Sequence, residues 1–211
     1  MVKKLNRVQI ILTLLCVIWI GLVSLGTSRV WIYGNTAGAS GNAPSSWPTD
    51  TAIKRNGLPT LLVFIHPHCP CSRSTVGELA VLMARVQGKV DTHVLFVKPE
   101  EFGEEWARTD LFDSALAIPG VSVSVDASGI EASRFQSSTS GQANLYDAQG
   151  KLIFQGGITA ARGHFGDNAG LLSLQAILNG ADGASETPVY GCPLQKDQPQ
   201  HKPEEFCSGT H

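Results

Sequence analysis

The stretch "LLVFIHPHCPCSRSTVGEL" (Leu61 to Leu79) decides how this chain is read. With Thr60 it opens on "TLLVFI" (Thr60 to Ile65), a continuous apolar run of the kind that forms a strand covered on both faces. From Ser72 onward Val76, Leu79, Ala80, Met83 and Val86 recur at three- and four-residue spacing until Gly88, which is a helical period. Two histidines and two cysteines lie at the junction. Cys69 is expected as the N-cap, Pro70 at the first helical position, and Cys71 and Ser72 in the first turn. A thiolate there faces unpaired backbone N–H groups and the positive end of the helix dipole, and both lower a cysteine pKa. Free cysteine is often a core residue, but an exposed strand-to-helix junction is not a core position.

The remaining pattern extends this unit. "THVLFV" (Thr92 to Val97) predicts a second strand ended by Pro99, and Glu100 to Ala117 holds one or two helical stretches. "VSVSVD" (Val121 to Asp126) alternates as a strand does, and a short helix is expected through Glu131 to Phe135. "ANLYDAQGKLIFQGG" (Ala143 to Gly157) gives two strands about an Ala-Gln-Gly turn. "NAGLLSLQAILNG" (Asn168 to Gly180) closes as a helix capped by Asp167 or Asn168. The expected class is α/β with one central sheet. "GGITAARGHFGDNAG" (Gly156 to Gly170), with Arg162 and His164, reads as an ordinary strand-to-helix loop away from the cysteines.

At the other end, Lys3, Lys4 and Arg7 precede an uncharged apolar run from Val8 to Gly26. That run is about as long as the roughly 20 residues a bilayer crossing needs. Basic residues ahead of it place them in the cytoplasm and all that follows outside. It is longer than the ~7–15-residue core of a secretory signal, so an uncleaved anchor is favoured over a cleaved leader. Residues 1–26 are thus expected as the anchor and 27–48 as a flexible linker, small, polar and broken by prolines. Residues 49–182 are expected as the folded domain and 183–211 as a Cys- and Pro-containing tail. Net charge is −2 and charged residues make up 16% of the 211, so nothing advertises a nucleic-acid partner. Export also matters to the cysteines, because disulfides persist in an oxidising compartment.

The segment "VFIHPHCPCSR" resembles the strand and Trp-Cys-x-x-Cys helix start of the thioredoxin-like superfamily, in particular the membrane-anchored TlpA/ResA-like redoxins of bacteria. "VSVDASGIEASRFQSSTSGQANLYDAQGKLIFQGG" is similar to that family's run of strand, Asp-x-x-Gly, helix, cis-proline loop, strand, Asp-x-x-Gly and strand. The Cys-Pro-Cys-Ser form is closest to a narrower group labelled RedB. The resemblance implies a thioredoxin-like fold, with a central mixed β-sheet flanked by helices and one transmembrane helix ahead of it. It further implies a single-pass protein of the bacterial inner membrane with its domain in the periplasm. Its activity would be thiol-disulfide exchange without a cofactor, on a protein or small-molecule disulfide, supplied by a membrane or periplasmic thiol donor. Cys69 matches the attacking cysteine, while Ser72 stands where the resolving cysteine belongs and Cys71 sits one residue early. Residues two apart on a helix point to nearly opposite sides, so a Cys69–Cys71 bond requires the first turn to open. Gly141 stands at the family's cis-proline position.

Two other chemistries remain open. His66, His68, Cys69 and Cys71 form H-x-H-C-x-C, whose thiolate and imidazole donors suit copper or zinc binding and delivery. Alternatively His68 lowers the Cys69 pKa or shuttles a proton. A peroxiredoxin-like thiol peroxidase shares the fold and lacks the cis-proline, although His66 replaces the threonine expected three residues before its cysteine. In the tail, Cys192 and Cys207 could close a modest disulfide loop. Cys192 lies in the apolar-flanked "VYGCPL", which is expected to pack on the domain and bring a third thiol to Cys69 as resolving cysteine or metal ligand.

Overall fold

The structure, a computed structural model, describes residues 6–195. The chain divides after Thr36 into two units. The first holds one helix, α1 (Arg7–Asn35), with no residue buried. Its 29 residues span about 44 Å at 1.5 Å per residue, against a hydrocarbon core of about 30 Å. It is long and apolar enough to cross a membrane. It also continues nine residues past the expected end at Gly26, because nothing between Thr27 and Asn35 breaks a helix except the tolerated Gly34.

The second unit is built on five strands: β1 (Thr60–Ile65), β2 (Asp91–Lys98), β3 (Val121–Ala127), β4 (Gln142–Tyr146) and β5 (Leu152–Gly157). They pair in the order β3-β2-β1-β4-β5, with β1 parallel to β2, β2 parallel to β3, and β1–β4 and β4–β5 antiparallel. Helices α2 (Ser72–Arg85), α3 (Asp110–Leu116), α4 (Ile130–Arg134) and α5 (Ala169–Leu178) connect and cover them. The central strand β1 is buried at every residue, as its unbroken apolar sequence requires. Leu61, Val63 and Ile65 join Val76, Leu79 and Leu82 of α2 and Leu171 and Leu174 of α5 in one core. Leu62 and Phe64 point the other way, to Leu95, Phe135, Tyr146 and Leu194.

Both Asp-x-x-Gly segments have a physical role. The Asp126 carboxylate accepts the N–H groups of Glu131 and Ala132 at 2.9 and 2.8 Å, and so starts α4. Asp147 accepts from Gln149 and Lys151 at 3.0 and 2.8 Å and shapes the hairpin turn, which closes on Gly150 at a φ of 87°.

Residues 37–48 are not the flexible linker expected from their composition. Tyr146 donates its hydroxyl to the Pro44 carbonyl at 3.0 Å, and Ala43 N–H reaches the Gln155 side chain at 3.0 Å. Ser46 bridges to Lys151, and Trp47 N–H donates to Gly150 at 2.7 Å. This strap covers the outer edge of β5, together with Ser185 and Thr187, which bond Gln155. Small polar residues fit here because the bonds are made by their backbones, which composition does not reveal. Trp47 supplies the apolar anchor, edge-on to Phe135 at 5.0 Å and Tyr146 at 5.1 Å between ring centroids. Trp47→Ala is therefore expected to destabilise the domain by about 2–4 kcal/mol, measured by urea denaturation of the full chain in detergent followed by far-UV circular dichroism.

Candidate active site

The Cys-Pro-Cys run turns more tightly than an α-helix start. Ser72 N–H bonds the Cys69 carbonyl at 3.1 Å, Arg73 the Pro70 carbonyl at 3.4 Å, and Ser74 the Cys71 carbonyl at 3.2 Å, all at three-residue spacing. Regular α2 begins at Ser72, and Cys71, not Cys69, is its N-cap. The shift changes the site. The tighter turn brings the Cys71 thiol into hydrogen-bonding contact with the Cys69 sulfur, so the first turn need not open for the two to meet.

Cys192 completes the group. Residue Cys69 is 2% exposed, Cys71 9% and Cys192 4%, and the three pack together as their own cluster. The Cys192 backbone N–H points at Cys69 Sγ at 3.4 Å. Cys69 is held far below the ordinary thiol range. The Cys192 and Cys71 thiols are the main causes, with the Ser72 hydroxyl and the Cys192 backbone N–H adding to them, and burial opposes. Cys71 is pushed far the other way, first by its hydrogen bond to Cys69, then by burial and the Cys69 charge. One thiolate surrounded by donors is the resulting state.

The loop entering β4 forms the opposite wall. Ser140 Oγ accepts the His66 N–H at 2.7 Å and meets Ser72 Oγ at 2.7 Å. Gly141, at the position where the resemblance has proline, adopts a φ of +92° and donates its N–H to the Phe64 carbonyl at 2.7 Å. Glycine tolerates that φ and keeps the donor, while proline can do neither.

The histidines divide. His66 is pushed below its ordinary range by burial, with the Cys69 charge acting the other way. Its Nδ1 accepts the His68 N–H at 3.2 Å, which leaves a neutral ring's proton on Nε2. His68 is exposed and turned away, its Nε2 on the Trp106 carbonyl at 3.1 Å and its ring 4.6 Å from Trp106. His66, His68, Cys69 and Cys71 thus do not converge as a four-ligand centre, because His68 is turned onto Trp106.

Two residues escaped the sequence reading. Arg162 comes from the loop set aside as ordinary, yet it reaches the Cys71 thiol and donates Nη1 to the Gly191 carbonyl at 2.5 Å. Its only sequence signal was a cation in a glycine-rich turn. Ser140 carried no signal beyond its place one residue before Gly141. His164 remains exposed, on the Arg162 carbonyl. Cys207, His201 and His211 lie outside the described residues.

The central strand of the β3-β2-β1-β4-β5 sheet delivers the cysteines, and the loop into an antiparallel β4 faces them. The fold is thioredoxin-like. No family model matches the sequence, and no curated protein matches it. Among solved structures, an uncharacterized conserved protein from Geobacillus kaustophilus is similar at 17% identity over 79% of this chain and 94% of that one, with a TM-score of 0.54. A hypothetical protein from Sinorhizobium meliloti 1021 is similar at 19% identity over 75% and 93%, with a TM-score of 0.53. A thioredoxin-like protein in the oxidized form matches at 16% identity over 69% and 88%, with a TM-score of 0.42. Within this thioredoxin-like fold the three-thiol cluster is the candidate site.

Proposed function

We propose that this chain is a membrane-anchored thiol-disulfide oxidoreductase working outside the cytoplasm, of the TlpA/ResA-like kind, with Cys69 as its attacking thiolate. The observation that carries the proposal is the buried thiol cluster in which the neighbours of Cys69 stabilise it as an anion. The apolar helix α1 and the basic residues before it support the anchor and its orientation.

The Cys69 thiolate attacks one sulfur of a substrate disulfide and forms a mixed disulfide, and the other substrate sulfur leaves as a thiolate. That step neutralises Cys69. The Cys69 hydrogen bond and charge that held Cys71 protonated then vanish, while Arg162 remains beside it. Cys71 loses its proton to solvent or to the departing thiolate and attacks Cys69 Sγ. The second substrate thiolate leaves, and a Cys69–Cys71 disulfide remains for an external dithiol donor to reduce. Charge release thus sets the order of the two thiols.

Titration of the metal-free full chain against glutathione buffers, with alkylation and mass spectrometry of the Cys69–Cys71 peptide, tests this. A reversible two-electron couple between about −120 and −270 mV is expected. Failure of Cys69 to bond either Cys71 or Cys192 at any potential, with Cu(I) instead blocking alkylation, overturns it in favour of metal binding. The ordering has its own test. A cation close to an acid lowers its pKa by about 1–3 units, so Arg162→Met is expected to slow resolution about tenfold or more and let the Cys69 mixed disulfide accumulate in acid-quenched samples.

A further inference from the structure

The tail does more than place a third thiol. Residues 189–194 run antiparallel to the loop 138–140, with Thr139 and Pro193 bridged as in a sheet. Ser140 N–H donates to the Cys192 carbonyl at 2.7 Å, and Leu194 N–H to the Ser138 carbonyl at 2.9 Å. Gly38 N–H holds the Val189 carbonyl at 2.8 Å, and Arg162 holds the Gly191 carbonyl. The seat is also shaped. A Cβ on Gly191 would lie 1.9 Å from the Ser140 carbonyl oxygen, so only glycine approaches this closely. Leu194 fills the second core beside Leu62, Phe64 and Leu95. With these bonds made, Ser138 C=O and Ser140 N–H are taken up by the tail, and Gly141 N–H by Phe64.

We infer that residues 189–194 are a tethered pseudosubstrate, lying where an extended polypeptide must lie to present a sulfur to Cys69, and that such a partner enters only by displacing them. The tail then states the partner's chemistry: an extended strand with no side chain before its cysteine and an apolar residue two positions after it. The Ser140 carbonyl reads the missing side chain at Gly191 and the pocket of Leu62, Phe64 and Leu95 reads Leu194, while Ser138, Ser140 N–H and Arg162 hold the backbone. The inference rests on Cys69 being the exchanging thiol, but concerns what has access to it.

The test uses the fully reduced full chain in detergent at about pH 9.5, where a thiol is mostly thiolate with or without its Cys192 donors, and reads the iodoacetamide rate at Cys69 by tandem mass spectrometry. Gly191→Val keeps the tail from seating, and a second variant, the chain ended after Pro188, removes it. Each is expected to raise the Cys69 rate at least about tenfold, the gain in open population that a modest loss of seating gives. The free peptide Val-Tyr-Gly-Ser-Pro-Leu, which cannot react, is expected to restore protection in the shortened chain, and its Gly→Val version is not. Unchanged rates in both variants overturn the inference. So does a raised rate that the glycine peptide lowers no better than the valine peptide. If the variants behave as expected but Cys69 forms no disulfide in glutathione buffers, the oxidoreductase reading falls and the occupancy of the groove stands.

Discussion

Cys69→Ser is expected to abolish turnover of a disulfide substrate by at least ~1000-fold, because removing a nucleophile that acts first leaves no alternative route of similar rate. The same change is expected to make Cys71 more reactive. In the native site the Cys69 hydrogen bond is the largest cause holding Cys71 protonated, and the Cys69 charge adds to it. Serine supplies no negative charge, so burial is left against the Arg162 cation alone. Alkylation of Cys71 at pH 7 should therefore rise in the variant while turnover is lost. Cys71→Ser gives the complementary result: one equivalent of thiol released from an aromatic disulfide, then a stalled mixed disulfide at Cys69. A Cys69→Ser protein that still turns over would remove Cys69 from the role assigned to it.

The second large effect is in pH. An ordinary thiol, with a pKa of about 8.5, loses about tenfold in thiolate, and so in alkylation rate, for each pH unit below that value. Cys69 is held far lower by its thiol, hydroxyl and amide donors. Its alkylation rate is expected to change less than about twofold between pH 5 and 8, while that of free cysteine added to the same sample falls steeply. The sign for stability follows. A group whose folded pKa lies below its unfolded value adds stability that is complete above the unfolded pKa and lost as pH falls toward the folded one. Cys71, raised in the fold, does the reverse: its contribution is present below the unfolded pKa and lost as pH rises above it. Urea midpoints of the native chain should decline on acidification relative to those of Cys69→Ser. A steep alkylation profile for Cys69 would contradict the thiolate assignment.

The elements with apolar periods are legible in the sequence alone. The span of β1 follows from "TLLVFI", and Asn168 caps α5 by accepting the Leu171 N–H at 2.9 Å. The Ala-Gln-Gly turn within 143–157 likewise marks the β4–β5 hairpin. What escaped was built from backbone. Residues 37–48 looked like a tether because glycine, alanine and serine carry no burial signal, yet their amides and carbonyls find Gln142, Gln155 and Tyr146. Cys69 was placed two residues too deep in the helix, because proline at a first helical position and proline in a tight turn look alike in one sequence. Arg162 was invisible as a site residue for a topological reason. Its loop follows β5, and its guanidinium meets Cys71 and the Gly191 carbonyl from segments 91 and 29 residues away in sequence.

That return has a consequence in time. Cys192 lies 123 residues after Cys69, and it donates to that sulfur through both its thiol and its backbone N–H. A chain made from its N-terminus at about 5–20 residues per second displays Cys69 and Cys71 for roughly 6–25 s before their partner has been synthesised. Through that interval β1 and α2 can form, but the sulfur lacks two of its donors and the strand that covers it. The nascent domain is therefore at its most vulnerable to oxidants and stray disulfides until residues 189–194 emerge, because that late segment shelters the nucleophile.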